Sequence, residues 1–142
     1  MVNSLEARPP EMRAAVPPWP SLTFRRWLWL AYALSWTVAL LVPLPFQAEP
    51  GTALAQQIFT FSKSLHVLAY TLFTVLAAWM WLPRTARLFL LLGLYGHAML
   101  TEFLQWVLHD LTHRTGQWSD VALDSIGVTL GVIIAWKWWW RG

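Results

Sequence analysis

The chain contains no cysteine. Disulfides, thiolate metal ligands and a cysteine nucleophile are therefore excluded. Charge is scarce as well: 12% of the 142 residues are Asp, Glu, Lys or Arg, while 57% are hydrophobic. That balance is too apolar for an ordinary soluble domain of this length. A Gly-rich phosphate loop, an H-E-x-x-H helix and a G-x-S-x-G elbow are all missing, which removes three common catalytic readings. No internal repeat is evident. The apolar runs also lack the strict alternation of barrel strands, and four of them cannot close a barrel.

What remains is four long apolar segments, at about 27–44, 59–82, 88–109 and 119–140. Each is long enough to cross a hydrocarbon core of about 30 Å at about 1.5 Å per residue. The expected fold is an all-α membrane protein, a bundle of four transmembrane helices. Pro43 and Pro45 close the first segment and Pro83 the second, because proline breaks helices. Residues 1–24, with Pro9, Pro10, Pro17, Pro18 and Pro20, read as a disordered cytoplasmic tail. Residues 25–142 then form one membrane domain. Arg25-Arg26 ahead of the first segment could mimic a signal peptide. The apolar run is longer than a usual h-region and no clean cleavage site follows, so it reads as a retained helix.

The net charge of +3 is orientation signal rather than a nucleic-acid patch. Arg8, Arg13, Arg25 and Arg26 precede the first segment, Arg84 and Arg87 lie between the second and third, and Lys137 and Arg141 end the chain. An even number of spans puts all three flanks on one side. The positive-inside rule makes that side, and both termini, cytoplasmic. Tryptophans at the segment ends, such as Trp27, Trp79, Trp106, Trp118 and Trp138, suit the membrane interfaces. The bilayer is the expected partner, and no nucleic acid is.

Nearly all the remaining polar residues gather at the opposite, outer end. Lys63 and His66 lie on segment two, Glu102 and Gln105 on segment three, Asp120 and Asp124 on segment four, and Arg114 in the loop between the last two. By residue count their depths agree within roughly one helical turn. Lys63, His66, Tyr70 and Thr74 share one helical arc, as do Asp120, Asp124, Gly127 and Gly131. Ionisable groups inside a bilayer are expensive and usually mark function. Lys63 and Arg114 suit a phosphate or carboxylate, with Asp120, Gln105 and Tyr70 as further ligand-binding candidates. His66, Glu102 and Asp124 are the candidate catalytic acid–base groups. The structural alternatives are ion pairing of Lys63 with Glu102 or Asp124, and Asp120 as an acid at the start of helix four. Gly127 and Gly131 would let another helix approach closely, within the chain or in a homodimer. No cofactor and no metal is expected. His109 and His113, with Asp110 and His97, have ligand-like spacing, but the cations of the same site argue against a metal.

The ordered pattern K63-x-x-H66-x-x-x-Y70, E102-x-x-Q105, R114 and D120-x-x-x-D124-x-x-G127-x-x-x-G131 resembles the VanZ-like family of small membrane proteins, over about residues 25–136. Asp124 stands where that family more often has asparagine, so an amide role there does not carry over unchanged. The resemblance implies a bacterial cytoplasmic membrane protein linked to the cell envelope and to glycopeptide (teicoplanin) resistance, with no settled reaction. Together these readings predict an outward-facing site that binds or acts on an anionic envelope molecule: a lipid-linked phosphate, a peptidoglycan precursor or a phospholipid headgroup. The alternative is a non-enzymatic lipid-binding, flipping or partner-assisting protein.

Overall fold

A computed structural model describes residues 20–43, 48–114 and 116–140. Every element among them is helical: α1 (Leu22–Leu41), α2 (Ala53–Trp79), α3 (Arg84–Val107), α4 (His109–Thr112), α5 (Trp118–Ile134) and α6 (Trp136–Trp140). The expected tail over residues 1–19, Pro45 and Arg141 fall outside the described residues.

Helix starts follow local chemistry. The Ser21 hydroxyl caps α1 by accepting from the Phe24 N–H at 3.2 Å, and Thr52 caps α2 through the Ala55 N–H at 3.2 Å. Such caps satisfy donors that the helix itself leaves unpaired. With Thr52 as its cap, α2 starts at Ala53, six residues before the expected boundary, and so projects nearly three turns beyond Lys63. Pro83 is the N-cap of α3, and Trp81 takes a left-handed conformation in the turn before it. The fourth segment is not continuous, because the chain breaks at Ala135 between α5 and α6.

Helices α2 and α3 are long and apolar enough to cross a membrane; among the described residues these are the two that meet that measure. The surface is apolar well beyond them. Leu34, Phe61, Leu68, Phe89, Leu92 and Ile134 are each between 65% and 71% exposed. A water-soluble domain rarely displays so continuous an apolar exterior.

The core lies along the contact of α2 with α5. A Cβ at Gly127 would stand 2.5 Å from the Val67 carbonyl oxygen, and one at Gly131 2.5 Å from the Thr74 Cβ. Glycine at these two positions is what lets the backbones approach, and Thr71 Oγ1 donates across the seam to the Gly127 carbonyl at 3.1 Å. The glycine face is therefore filled by α2 of the same chain, the within-chain alternative of the two that the sequence left open. Helix α1 attaches through two aromatic donors: Trp29 Nε1 to the Phe73 carbonyl at 3.2 Å and the Tyr32 hydroxyl to the Ala69 carbonyl at 2.9 Å.

Three arginines close helix C-termini. Arg25 donates to the Trp79 carbonyl at 3.3 Å and lies over the Trp79 ring. Arg87 donates to the carbonyls of Trp138 and Trp139. Arg114 donates to those of Ala39 and Val42, at 3.1 and 2.9 Å. Each meets carbonyls that a helix end leaves unpaired, where the helix dipole also favours a cation. Arg25 and Arg87, read from sequence only as orientation signals, are buried parts of the fold.

Candidate functional site

Helices α2 and α5 run parallel, and their polar residues pair in register. Lys63 makes an ion pair with Asp120, and one turn further His66 Nδ1 meets Asp124 Oδ1 at 2.8 Å. The next steps of the same seam are the two glycine contacts. Close glycine packing therefore sets the distance across which the two charged pairs form. Lys63 also donates to Gln117 Oε1 at 3.2 Å. Its partner is Asp120, rather than the Glu102 or Asp124 expected from sequence, because the parallel register puts residues 63 and 120 at one level.

Helix α3 brings Glu102 to the same centre. Glu102 Oε2 accepts from the Gln117 N–H at 2.9 Å, at the start of α5. A carboxylate is favoured there by the unpaired N–H groups and the helix dipole. Gly116 makes the approach possible, since a Cβ on it would collide with the Glu102 backbone carbonyl. Candidate ligand atoms of His66, Glu102 and Asp120 lie within 4.8 Å of one another. The cluster is deeply buried: Asp124 is 0% exposed and His66 and Glu102 4% each, and Gln105, one turn along α3 from Glu102, is 3% exposed. Among the described residues, Glu102 Oε1 and Asp124 Oδ2 of the cluster, and the neighbouring Gln105 Nε2, have no hydrogen-bond partner. Buried polar groups are normally satisfied, so these atoms mark a place that other chemistry can complete.

Tyr70 and Arg114 direct their hydrogen bonds away from that centre. The Tyr70 hydroxyl is 2.8 Å from His97 Nδ1 and 3.4 Å from Thr101 Oγ1. His97 Nε2 is 2.8 Å from Thr37 Oγ1, which itself donates to the Ala33 carbonyl. Thr37 has therefore spent its proton, so His97 Nε2–H donates to it and Nδ1 accepts from Tyr70. This relay ties α1, α2 and α3 together beneath the carboxylates. Arg114 spends its side chain on α1. Partial burial pulls it below the ordinary arginine range, and the Glu102 carboxylate opposes that shift. The histidine pair is not assembled either. His109 Nδ1 lies 3.3 Å from its exposed neighbour Asp110, His113 ends α4 in a left-handed conformation, and His97 belongs to the relay.

Three participants escaped the sequence reading. Gln117 contributes both its backbone N–H and its side chain. Gly116 provides the close approach. Trp36 stands edge-on to His66, with ring centroids 6.1 Å apart. The Gly116-Gln117 step just ahead of the Ser119-Asp120 helix start was the available signal for the first two. For Trp36, nothing separated it from the other tryptophans.

Beside the cluster, between α3 and α5, lies a cavity of about 340 Å³. Glu102, Gly116 and Gln117 line it on the cluster side, and Met99, Phe103, Trp106, Trp118 and Val121 form the rest. Trp106 and Trp118 are 67% and 82% exposed, so the cavity opens on the apolar perimeter. The profile of a family described as VanZ/LLP1 matches residues 24–140. No curated protein and no solved structure matches the chain.

Proposed function

The chain belongs to the VanZ-like family of membrane proteins, and from that premise we propose that it binds an amphiphilic envelope molecule with an anionic, phosphate-class head. The observation that carries this reading is the junction at Glu102, where a buried ionisable cluster meets an apolar, aromatic-walled cavity open to the protein's perimeter. A wholly polar ligand would waste the apolar wall, and a plain hydrocarbon would leave the buried charges unanswered. A lipid-linked phosphate or a phospholipid fits both halves.

Helices α1, α2, α3 and the α5–α6 unit are the four spans of this reading, with both termini cytoplasmic and the cluster at the outer end. Apolar residues exposed on α1 and α5, such as Leu34, Val38, Ile126 and Ile133, support lipid contact for those helices too. The charge bias of the flanks supports the orientation. A part in glycopeptide tolerance is the expectation that the family carries.

The site also suits proton transfer. Asp124 accepts from His66 Nδ1 and holds the ring, as the third member of a catalytic triad holds its histidine. In the neutral ring this leaves Nε2 as the basic atom, able to take a proton from water or a ligand hydroxyl. Glu102, beside the cavity, is the complementary acid. The lateral opening keeps a second reading in play, in which the lipid is held or handed on without reaction.

Native mass spectrometry of wild-type protein gently extracted from membranes, beside Glu102→Gln, tests the proposal. The expected result is a specific anionic amphiphile on the wild type that is lost from the variant. A folded wild-type protein that carries no such molecule, or the same molecule retained equally by Glu102→Gln, would overturn it.

A further inference from the structure

A phosphate-class head meets a difficulty in this cluster. Three carboxylates, from Glu102, Asp120 and Asp124, face one lysine and one histidine, while Arg114 spends its hydrogen bonds on α1 and adds only its charge, felt at Glu102. An anion would enter a centre with no surplus of positive charge. Buried charges in proteins are paired or coordinate metals.

We infer that His66, Glu102 and Asp120 form a binding site for one divalent transition-metal ion, with Asp124 positioning the histidine. Four observations carry this. The candidate ligand atoms of the three residues come from three different helices and lie within 4.8 Å of one another. A first-row ion bonded at about 2.0–2.2 Å spaces its ligand atoms about 3.0–3.6 Å apart, so binding would draw these three together by no more than about 2 Å. Glu102 is 96% buried, being 4% exposed, and its Oε1 has no partner among the described residues.

Two of the three ligands are also oriented by a second group. Asp124 accepts from His66 Nδ1 at 2.8 Å, the carboxylate–histidine arrangement that presents Nε2 to a metal. The Gln117 N–H holds Glu102 Oε2 at 2.9 Å. Finally, three protein ligands beside a cavity leave coordination positions open to an incoming ligand, as sites that act on ligands do. One imidazole and two carboxylates suit ions such as Zn²⁺, Mn²⁺, Fe²⁺ or Co²⁺ better than the all-oxygen preferences of Mg²⁺ and Ca²⁺.

Lys63 takes a defined part in this scheme. Its ammonium competes with the ion for Asp120, so binding of the metal releases Lys63 towards the ligand's own negative charge. That last step rests on the proposed phosphate-class ligand; the metal site itself does not.

The test is a Co²⁺ titration of the full-length, chelator-treated protein in nanodiscs, followed by the visible absorption of the bound ion. Saturable binding of a single equivalent is expected. Glu102→Gln, which is isosteric, and Asp120→Asn should each weaken it by at least about tenfold, and Asp124→Asn by about 10- to 100-fold. Lys63→Met should tighten it, a direction that a purely structural role for Lys63 would not produce. His109→Ala should leave it unchanged. Absence of saturable binding by folded wild-type protein, or equal binding by Glu102→Gln, overturns the inference. Native mass spectrometry of the same chelated sample separates the two proposals. An amphiphile retained without Co²⁺ binding sinks the metal and keeps the ligand, and Co²⁺ binding by a protein that never carries an amphiphile does the reverse.

Discussion

Substituting Gly127 by alanine should damage the protein and its site together, through one displacement. The new Cβ would stand 2.5 Å from the Val67 carbonyl oxygen and 2.9 Å from the Tyr70 Cβ. The first contact is roughly 1 Å inside van der Waals separation. The obstacle is backbone, so it cannot swing aside, and α5 must retreat from α2 by about that distance. One turn away, the His66–Asp124 hydrogen bond of 2.8 Å would stretch beyond hydrogen-bond range. Overpacking costs about 1–3 kcal/mol, and losing a hydrogen bond to a charged group about 1.5–3 kcal/mol more. A total of roughly 3–5 kcal/mol lowers the midpoint of thermal unfolding by about 10–20 °C for a domain of this size.

The assay is thermal unfolding in detergent followed by near-ultraviolet circular dichroism, which the tryptophans make sensitive. Gly93→Ala and Gly96→Ala are internal controls. A Cβ at either position meets nothing within 4 Å, and alanine is favoured over glycine in a helix by about 0.5–1 kcal/mol. They should match or slightly exceed the wild type. If Gly127→Ala melted with the controls, close α2–α5 packing would not be what holds the two charged pairs in register.

Other substitutions separate structural from functional parts. Asp124→Ala leaves the buried His66 N–H unpaired and should cost about 2–5 kcal/mol in chemical denaturation, whereas the isosteric Asp124→Asn should stay within about 1 kcal/mol while weakening metal binding. Arg114→Ala exposes the Ala39 and Val42 carbonyls and should cost about 1–3 kcal/mol, yet native mass spectrometry should still find the ligand bound; loss of ligand at unchanged stability would return Arg114 to the site. Arg114→Lys should not restore stability, because a single ammonium cannot reproduce the two-carbonyl fork. Tyr70→Phe breaks the relay to His97 and should lower stability by about 1 kcal/mol, with Co²⁺ affinity unchanged.

Much of this was readable in the chain because helical periodicity places residues on faces. The phase shared by Asp120, Asp124, Gly127 and Gly131 announced a helix that packs closely while carrying acids, and α5 does both. The family pattern was equally legible, since its residues lie at fixed helical spacings. Partner choice was not. Lys63 has three carboxylates within the same few turns, and only the parallel register of α2 against α5 selects Asp120. The roles of Arg25, Arg87 and Arg114 were hidden for a related reason. Each caps a helix whose last carbonyls lie 51 to 75 residues away along the chain, so no local pattern could reveal them. Tyr70 shares the arc of His66, yet its longer side chain reaches past the carboxylates to His97. Boundaries slipped where polar caps outweigh hydropathy: Thr52 begins α2 among residues too polar to look membrane-bound, and Ala135 gives no warning of the break before α6.

The class of ligand depends on the side of the membrane to which the cluster opens. The chain has no cysteine of its own, so each introduced thiol reports alone. Ser119, exposed beside the cluster, and Thr85, exposed at the opposite end, are the two positions to compare. With a membrane-impermeant maleimide on spheroplasts, Ser119→Cys should label at once and Thr85→Cys only after lysis. The reverse pattern would put the cluster on the cytoplasmic side and contradict an outward-facing envelope site.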